Sequence, residues 1–304
     1  AGVLRWLFDT SKWFPTSEEW ELLLGLVPEE DAAKSMKFVH LADRKRALVS
    51  RLLQRAACAE TTGLPHVGVR ICRTKGSKPY MENRPRGAVG PNWNFNVSHE
   101  GSYVALAAEP RVLCGVDVAA PDQVRGKRKQ SLDELFNSMK DYFTPREWAS
   151  IRTHGASDMA MEACFRKHWS LKEAYTKGRG DGIAFHLGKC DFSIDEGSLS
   201  ATVAVEGRPL DQWKFYIQAL PEEHWISVGR GPPTDAIDAN GGFKATFELP
   251  TLPAAELSAE LSRPEPKFVL KSIAELVPPE QRSKHAAAAN AGVVLDDQNS
   301  SRRA

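Results

Sequence analysis

The stretch Leu113-Cys114-Gly115-Val116-Asp117-Val118 reads as an interior strand, and an acid breaks its apolar run immediately after Gly-Val. A carboxylate buried there is costly unless a cation or hydrogen-bond donors meet it. Asp117 therefore asks for a partner. A helix expected from Asp158 to Lys177 is the place to look. At about 100° per residue, Met161, Cys164, Phe165, His168, Leu171 and Tyr175 share one buried arc. Trp169, Glu173 and Lys177 follow one another at i, i+4 along a ridge beside it. Taken alone, Glu173 and Lys177 read as an ordinary helix pair worth ~0.2–0.5 kcal/mol. Lys172 is odder, because it projects into the apolar arc, where an ammonium needs a partner or a wet cleft.

Working outward, Asn94-Phe95-Asn96-Val97-Ser98-His99 sends Phe95 and Val97 to one face and Asn96 and Ser98 to the other, and delivers His99 to a turn. With Tyr103 to Ala108 and Val112 to Val118 it predicts an antiparallel meander, broken at Glu100-Gly101 and Glu109-Pro110. Before it come a short strand at Trp6 to Phe8, a helix start at Ser17, helices between Asp31 and Glu60, a β-rich run from Val67 to Ile71 and a loop from Thr74 to Pro79. After it come helical signals at Leu132 to Tyr142 and a helix start at Thr144-Pro145-Arg146-Glu147, with Thr as N-cap and Glu at the capping-box position. Strands follow near Cys190 to Ile194, Ala201 to Val205, Trp213 to Ala219 and Trp225 to Val228. Helices then strands, twice over, predict an α+β fold of two similar helix-plus-antiparallel-sheet subdomains, 1–110 and 111–230. The Pro/Ala-rich residues 231–304 are expected to form a weakly ordered tail, with an ordered piece near 267–279.

The 304 residues carry 40 Lys+Arg against 39 Asp+Glu, so attraction to a polyanion must come from local clusters. One such cluster is Lys34, Lys37, Arg44, Lys45, Arg46, Arg51 and Arg55, opposed within that stretch only by Asp43; another is Arg125 to Lys129. The first reads as a solvated helix face or as an anion site, and the second resembles a nuclear-import signal but in its Pro/Gly/Gln setting reads rather as a surface loop. Nucleic-acid binding would want aromatic side chains interleaved with the basic ones, and Phe38 is the sole aromatic between Lys34 and Arg55, so no nucleic-acid partner is expected. No stretch approaches the ~20 apolar residues of a membrane span. Five cysteines without a C-x-x-C pair argue against a disulfide framework and for a reducing, cytosolic setting. A chain that opens on Ala1, with no signal-peptide core behind it, is expected to lack initial residues.

Together, Gly115-Val116-Asp117-Val118 and Trp169 to Lys177 resemble the two signature motifs of the 4′-phosphopantetheinyl transferases. The likeness extends to Asn96-Val97-Ser98-His99-Glu100-Gly101 and to Arg73-Thr74-Lys75-Gly76-Ser77-Lys78-Pro79, in the family's order, and covers roughly Arg5 to Val228. It is greatest with the monomeric surfactin-type branch and its animal members. The resemblance implies a pseudo-twofold protein with coenzyme A and Mg²⁺ in the cleft between its halves. It implies that Lys34 meets the 3′-phosphate end of coenzyme A and that Arg73, Thr74, Lys75, Gly76, Ser77 and Lys78 line the nucleotide and phosphates. Asn96, Val97, Ser98 and His99 would hold the pyrophosphate, His99 as a donor, and Asp117 and Glu173 would bind Mg²⁺. Lys177 would stabilise charge as the bond breaks, and Glu173 would take the proton of the acceptor serine.

The implied reaction moves the phosphopantetheine arm of coenzyme A to a serine of an apo acyl carrier protein domain. The alternative is a homologue that binds coenzyme A or the carrier without turnover. Many surfactin-type members carry a Glu two residues after the motif's Asp. Ala119 stands there, so a third metal carboxylate is missing, as it is in the animal-type enzymes.

Overall fold

The computed structural model describes residues 2–121, 131–155 and 157–297, and the side chain of Ile183 lies outside that description. The basic loop Arg125 to Lys129 falls outside the described residues. In the first half, strand β1 (Leu4–Asp9) precedes helices α1 (Ser17–Leu24), α2 (Glu29–Met36) and α3 (Leu41–Thr62), then β2 (Ile71–Arg73), β3 (Pro79–Met81), β4 (Asn94–Glu100) and β5 (Tyr103–Glu109). In the second, β6 (Leu113–Ala119) precedes α4 (Leu132–Ser138), α5 (Pro145–Thr153) and α6 (Asp158–Arg179). Strands β7 (Cys190–Asp195), β8 (Ser200–Val205), β9 (Arg208–Pro209), β10 (Lys214–Leu220) and β11 (His224–Gly231) follow. The halves repeat one plan. The first strand of each pairs antiparallel with the last, β1 with β5 and β6 with β11, and each contains a 22-residue helix.

The meander expected from Asn94 to Val118 is not formed. β4 and β5 pair, but β5's other edge is taken by β1, so β6 crosses to the second sheet and pairs with β11. The free edge of β6 meets the side chains of β4. Asn94 Oδ1, Asn96 Oδ1, Ser98 Oγ and Glu100 Oε2 accept hydrogen bonds from the amides of Cys114, Val116, Val118 and Ala120 at 3.1, 2.9, 3.2 and 2.8 Å. Alternation along a strand brings every second residue to one face. Here that face serves as a surrogate strand edge and joins the two sheets, so the buried amides of β6 are satisfied. The run from Val67 to Ile71 is also not a strand: His66–Gly68 is a 3₁₀ turn, and β2 begins at Ile71.

Helix α6 lies close on this junction because two glycines allow it. A Cβ on Gly115 would stand 1.9 Å from the carbonyl oxygen of Ala174 and 2.5 Å from the amide of Gly178. Lys172, the apolar-arc lysine, is fully buried and finds its partner in Glu147 at 2.8 Å, while Leu187 and Cys190 carbonyls accept from the same ammonium. Glu147 is also the capping-box residue of α5.

Residues 231–297 are packed rather than weakly ordered. Strand β12 (Val269–Leu270) adds to β1 in parallel, inside the expected ordered piece, and α8 (Ile273–Leu276) follows within it. Phe243 and Phe247 enter the second core, and Leu276 and Val277 the first. Helix α7 (Ala254–Leu261) buries Leu257 and Leu261 against Val112, and in α9 (Arg282–Ala289) His285 Nε2 meets Glu19 Oε1 at 2.7 Å. The composition that reads as disorder hides apolar residues spaced widely enough to land on surfaces the two halves have already built. Residues 298–304 lie outside the described residues.

Candidate functional site

Asp117, on β6, is buried beside Lys177 and Ser98: its Oδ1 accepts from Lys177 Nζ at 2.5 Å and from Ser98 Oγ at 2.9 Å. Lys177 Nζ also lies 3.1 Å from Ser98 Oγ and 4.0 Å from Glu173 Oε2, so one ammonium stands among two carboxylates. Asp117 Oδ2 is buried and has no hydrogen-bond partner among the described residues. Burial raises the pKa of Asp117, with Lys177 opposing it. Burial also raises Glu173, again with Lys177 opposing, while the charge of Asp117 adds to the rise. For Lys177, burial works to lower the pKa, but Asp117 and Glu173 outweigh it and the net shift is upward. An orphaned carboxylate oxygen next to a second, half-buried carboxylate is a donor set that a hard divalent cation fits, with room for phosphate oxygens. Among the described residues no cluster of three or more such ligands occurs.

A cavity of about 520 Å³ opens beside this pair. Arg73, Gly76, Ser77 and Lys78 line it from the turn between β2 and β3, Asn96 and Val97 from β4, and Glu173 and Lys177 from α6. The turn is pinned to the second half by backbone contact, since a Cβ on Gly76 would stand 2.0 Å from the carbonyl oxygen of Gly180. The glycine-rich run after Lys177 thus serves close packing. Thr74 and Lys75 do not line the cavity; Thr74 is buried, and its hydroxyl accepts from the Lys78 amide at 3.1 Å.

Several expected phosphate contacts have other work. Lys78 is buried and donates to the carbonyls of Cys114 and Lys177 at 2.8 and 3.4 Å, and burial lowers its pKa to about 8. It ties the β2–β3 turn to β6 and α6. Asn96 and Ser98 are rungs of the junction. Lys34 lies outside the cavity lining on α2 and pairs with Glu30 at 2.7 Å. Much of the basic run around it is likewise engaged, Arg46 by Asp43 and Arg51 by Asp31. His99 lies at the exposed end of β4. Surrounding protein lowers its pKa to about 4, helped by the charges of Lys177, Arg46 and Arg51, so at neutral pH it is an uncharged donor or acceptor.

Sequence reasoning missed two groups. The far wall of the cavity is Met139, Tyr142, Phe185 and Leu187, in or beside short 3₁₀ turns that carry no periodic signal, completed by Trp169 from the motif ridge. Glu100, read as a turn residue, is half-buried at the last rung of the junction. Burial raises its pKa to about 7, and Asp117 and Lys177 both act on it.

Comparison with known proteins places this geometry. Residues 11–111 match the family model "4'-phosphopantetheinyl transferase, N-terminal" and residues 113–229 match the "4'-phosphopantetheinyl transferase superfamily". The chain belongs to the 4′-phosphopantetheinyl transferase superfamily. It is 31% identical over 253 residues to the L-aminoadipate-semialdehyde dehydrogenase-phosphopantetheinyl transferase of Mus musculus, covering 81% of this chain and 80% of that protein. A phosphopantetheinyl transferase of Thraustochytrium sp. is 35% identical over 75% of this chain and 78% of its own length. The 4'-phosphopantetheinyl transferase of Bacillus subtilis is 26% identical over 60% of this chain and 73% of its own length. The boundary between the two family models falls just before β6, where the chain leaves the first sheet for the second. Transferase activity of this type follows from that membership, and coenzyme A and carrier domains are the substrates of the family.

Proposed function

We propose that this enzyme, working as a monomer with Mg²⁺, transfers the 4′-phosphopantetheine arm of coenzyme A to a serine of an apo acyl carrier domain, in fatty acid synthase and in aminoadipate-semialdehyde dehydrogenase type proteins. The observation that carries the proposal is the buried Asp117 with one oxygen unpartnered, coupled to Glu173 and Lys177 at the edge of the cavity. The serine oxygen forms a bond to the phosphorus that bears the pantetheine. The bond from that phosphorus to the bridging oxygen breaks, and adenosine 3′,5′-bisphosphate leaves.

Asp117 and Glu173 would hold the Mg²⁺, which when bound supplies positive charge to the pyrophosphate. Lys177, whose ammonium stands at the cavity edge beside Asp117 and Glu173, would neutralise charge on the leaving phosphate. Such transfers depend on positioning and charge neutralisation more than on covalent chemistry. Glu173, at the edge of the cavity, would accept the serine proton directly or through a water. His99, uncharged and exposed near the end of β4, would offer a hydrogen bond to the phosphates. A water would fill the coordination place that Ala119 leaves without a carboxylate, since Glu100 Oε2 already accepts from the Ala120 amide at 2.8 Å. The five cysteines are all free, which fits a reducing, cytosolic setting.

The test is incubation with apo carrier protein, coenzyme A and Mg²⁺, followed by intact-mass measurement of the carrier. The expected result is a gain of one phosphopantetheine. A carrier of unchanged mass, with coenzyme A still bound by the protein, would favour the non-catalytic reading instead.

A further inference from the structure

A second groove, of about 310 Å³, opens between the first turns of α6 and the tip of the β10–β11 hairpin. Met159 and Ala163 line it from the helix, Glu223 and Trp225 from the hairpin, and Arg166 forms part of its wall. Arg166 is 7% exposed, yet among the described residues its Nε and Nη1 have no hydrogen-bond partner. A guanidinium is charged at every physiological pH and presents its donors as a fork matched to a carboxylate or phosphate. Leaving such donors buried and unmet is costly. Glu223, across the groove, leaves both nitrogens unbonded. Glu100 and His224 sense the charge of Arg166 without bonding those nitrogens. Glu222 and Glu223 at the hairpin tip have φ of 56° and 55°, a left-handed conformation that non-glycine residues rarely adopt. Strain of that kind persists where the surroundings hold it. Here a side-chain bond from Ser102 to Glu222 at 3.0 Å fixes the tip over the groove.

We propose that this groove is the docking site of the protein acceptor, with Arg166 taking one carboxylate of its surface and Met159 and Trp225 an adjoining apolar side chain. The inference rests on the transferase reading and names where the second substrate sits. Arg166, Ser170, Glu173 and Lys177 follow one another at spacings of four, three and four along one stripe of α6. Arg166 is therefore about 10 Å along the helix from Glu173. An acceptor whose serine reaches Glu173 must cover the neighbouring surface. The cavity lined by Arg73, Gly76 and Phe185 is left to coenzyme A. Met159 is 62% exposed, and the ring of Trp225 lies under the Lys167 ammonium at 4.4 Å, which Glu196 pairs at 2.6 Å, so the groove offers apolar contact beside the guanidinium of Arg166. Arg166 is a positioning residue, and its loss should be felt by one substrate only.

The experiment measures KM for apo carrier protein and for coenzyme A separately, with thermal midpoints recorded alongside. Arg166→Gln should raise the carrier KM about tenfold, as expected when one member of a desolvated charge pair is removed. Arg166→Lys should raise it less, and KM for coenzyme A should stay within twofold in both. Met159→Asp, at an exposed position that the fold does not need, should raise the carrier KM as well and guards against a folding defect in the arginine variants. An unchanged carrier KM in Met159→Asp and Arg166→Gln overturns the docking site while leaving the transferase reading intact. So does an equal rise in both Michaelis constants. A wild-type protein that transfers nothing overturns the transferase reading, and this inference with it.

Discussion

The side-chain oxygen of Asn96 accepts the backbone amide of Val116 at 2.9 Å, standing in for the carbonyl of a neighbouring strand. It is one of four such rungs, each between residues 20 apart in sequence, and the next rung places Ser98 against Asp117. Asn96→Ala should leave the Val116 amide buried and unpaired. The expected cost is about 1–3 kcal/mol of stability, read from the shift in denaturation midpoint. Asn96→Asp keeps the acceptor and should recover part of it.

Asp117→Asn should separate stability from activity. The carboxylate is buried and its pKa is raised, so neutralising it removes a desolvation cost and the variant should unfold no more easily than the wild type. Transfer to carrier protein should fall by at least about a hundredfold, since both the cation site and the partner of Lys177 are altered. Normal turnover in Asp117→Asn would show that the cation site lies elsewhere.

The motifs were legible in the sequence because buried polar residues are expensive. Asp117, Lys172, Asn96 and Ser98 stood out against apolar patterns, and each has a partner in the fold. Their partners were not legible, because Glu147, Lys177 and the β6 amides come together only through tertiary packing. The same limit explains the misread meander: local pattern marks β4, β5 and β6 as strands but not that β1 occupies the edge β6 would have used. Lys78 shows it again, since a motif lysine reads as a phosphate ligand until its ammonium is found between two backbone carbonyls.

Lys172 and Glu147 form an ion pair with both side chains fully buried. Lys172→Met alone should cost about 3–5 kcal/mol, because it strands a buried carboxylate. Adding Glu147→Gln should recover a large part of that, and the coupling is read from a double-mutant cycle in urea.

Acid should weaken the fold through histidine. Burial lowers the pKa of His66 and of His168 to about 4 each, below the ordinary imidazole value of about 6.5. A group whose folded pKa is depressed contributes stability that is present above the unfolded pKa and lost as pH falls through the folded one. Stability should therefore decline from about pH 6.5 down to about 4. His66→Gln should flatten part of that decline in a series of thermal midpoints; a slope identical to the wild type would mean that His66 is protonated without cost.

Gly115→Ala should act at a distance. Its Cβ would meet the Ala174 carbonyl and the Gly178 amide, both backbone, so helix α6 must move away from β6. Glu173 and Lys177 move with it. The variant should lose transfer activity even under conditions where circular dichroism shows it folded, and crystallography or exchange measurements would locate the displacement.

Strand β12 imposes an order on how the molecule is made. Arg5, buried on β1, is neutralised by Glu109 at 2.5 Å and also by Glu265, and the outer edge of β1 is closed by Val269, Leu270 and the Lys271 amide. A ribosome delivers those last partners after the whole catalytic body has emerged. Strand β1 is thus made before the catalytic body yet finished after it, and a chain cut short after β11 would expose an unpaired edge of β1 and a half-compensated Arg5.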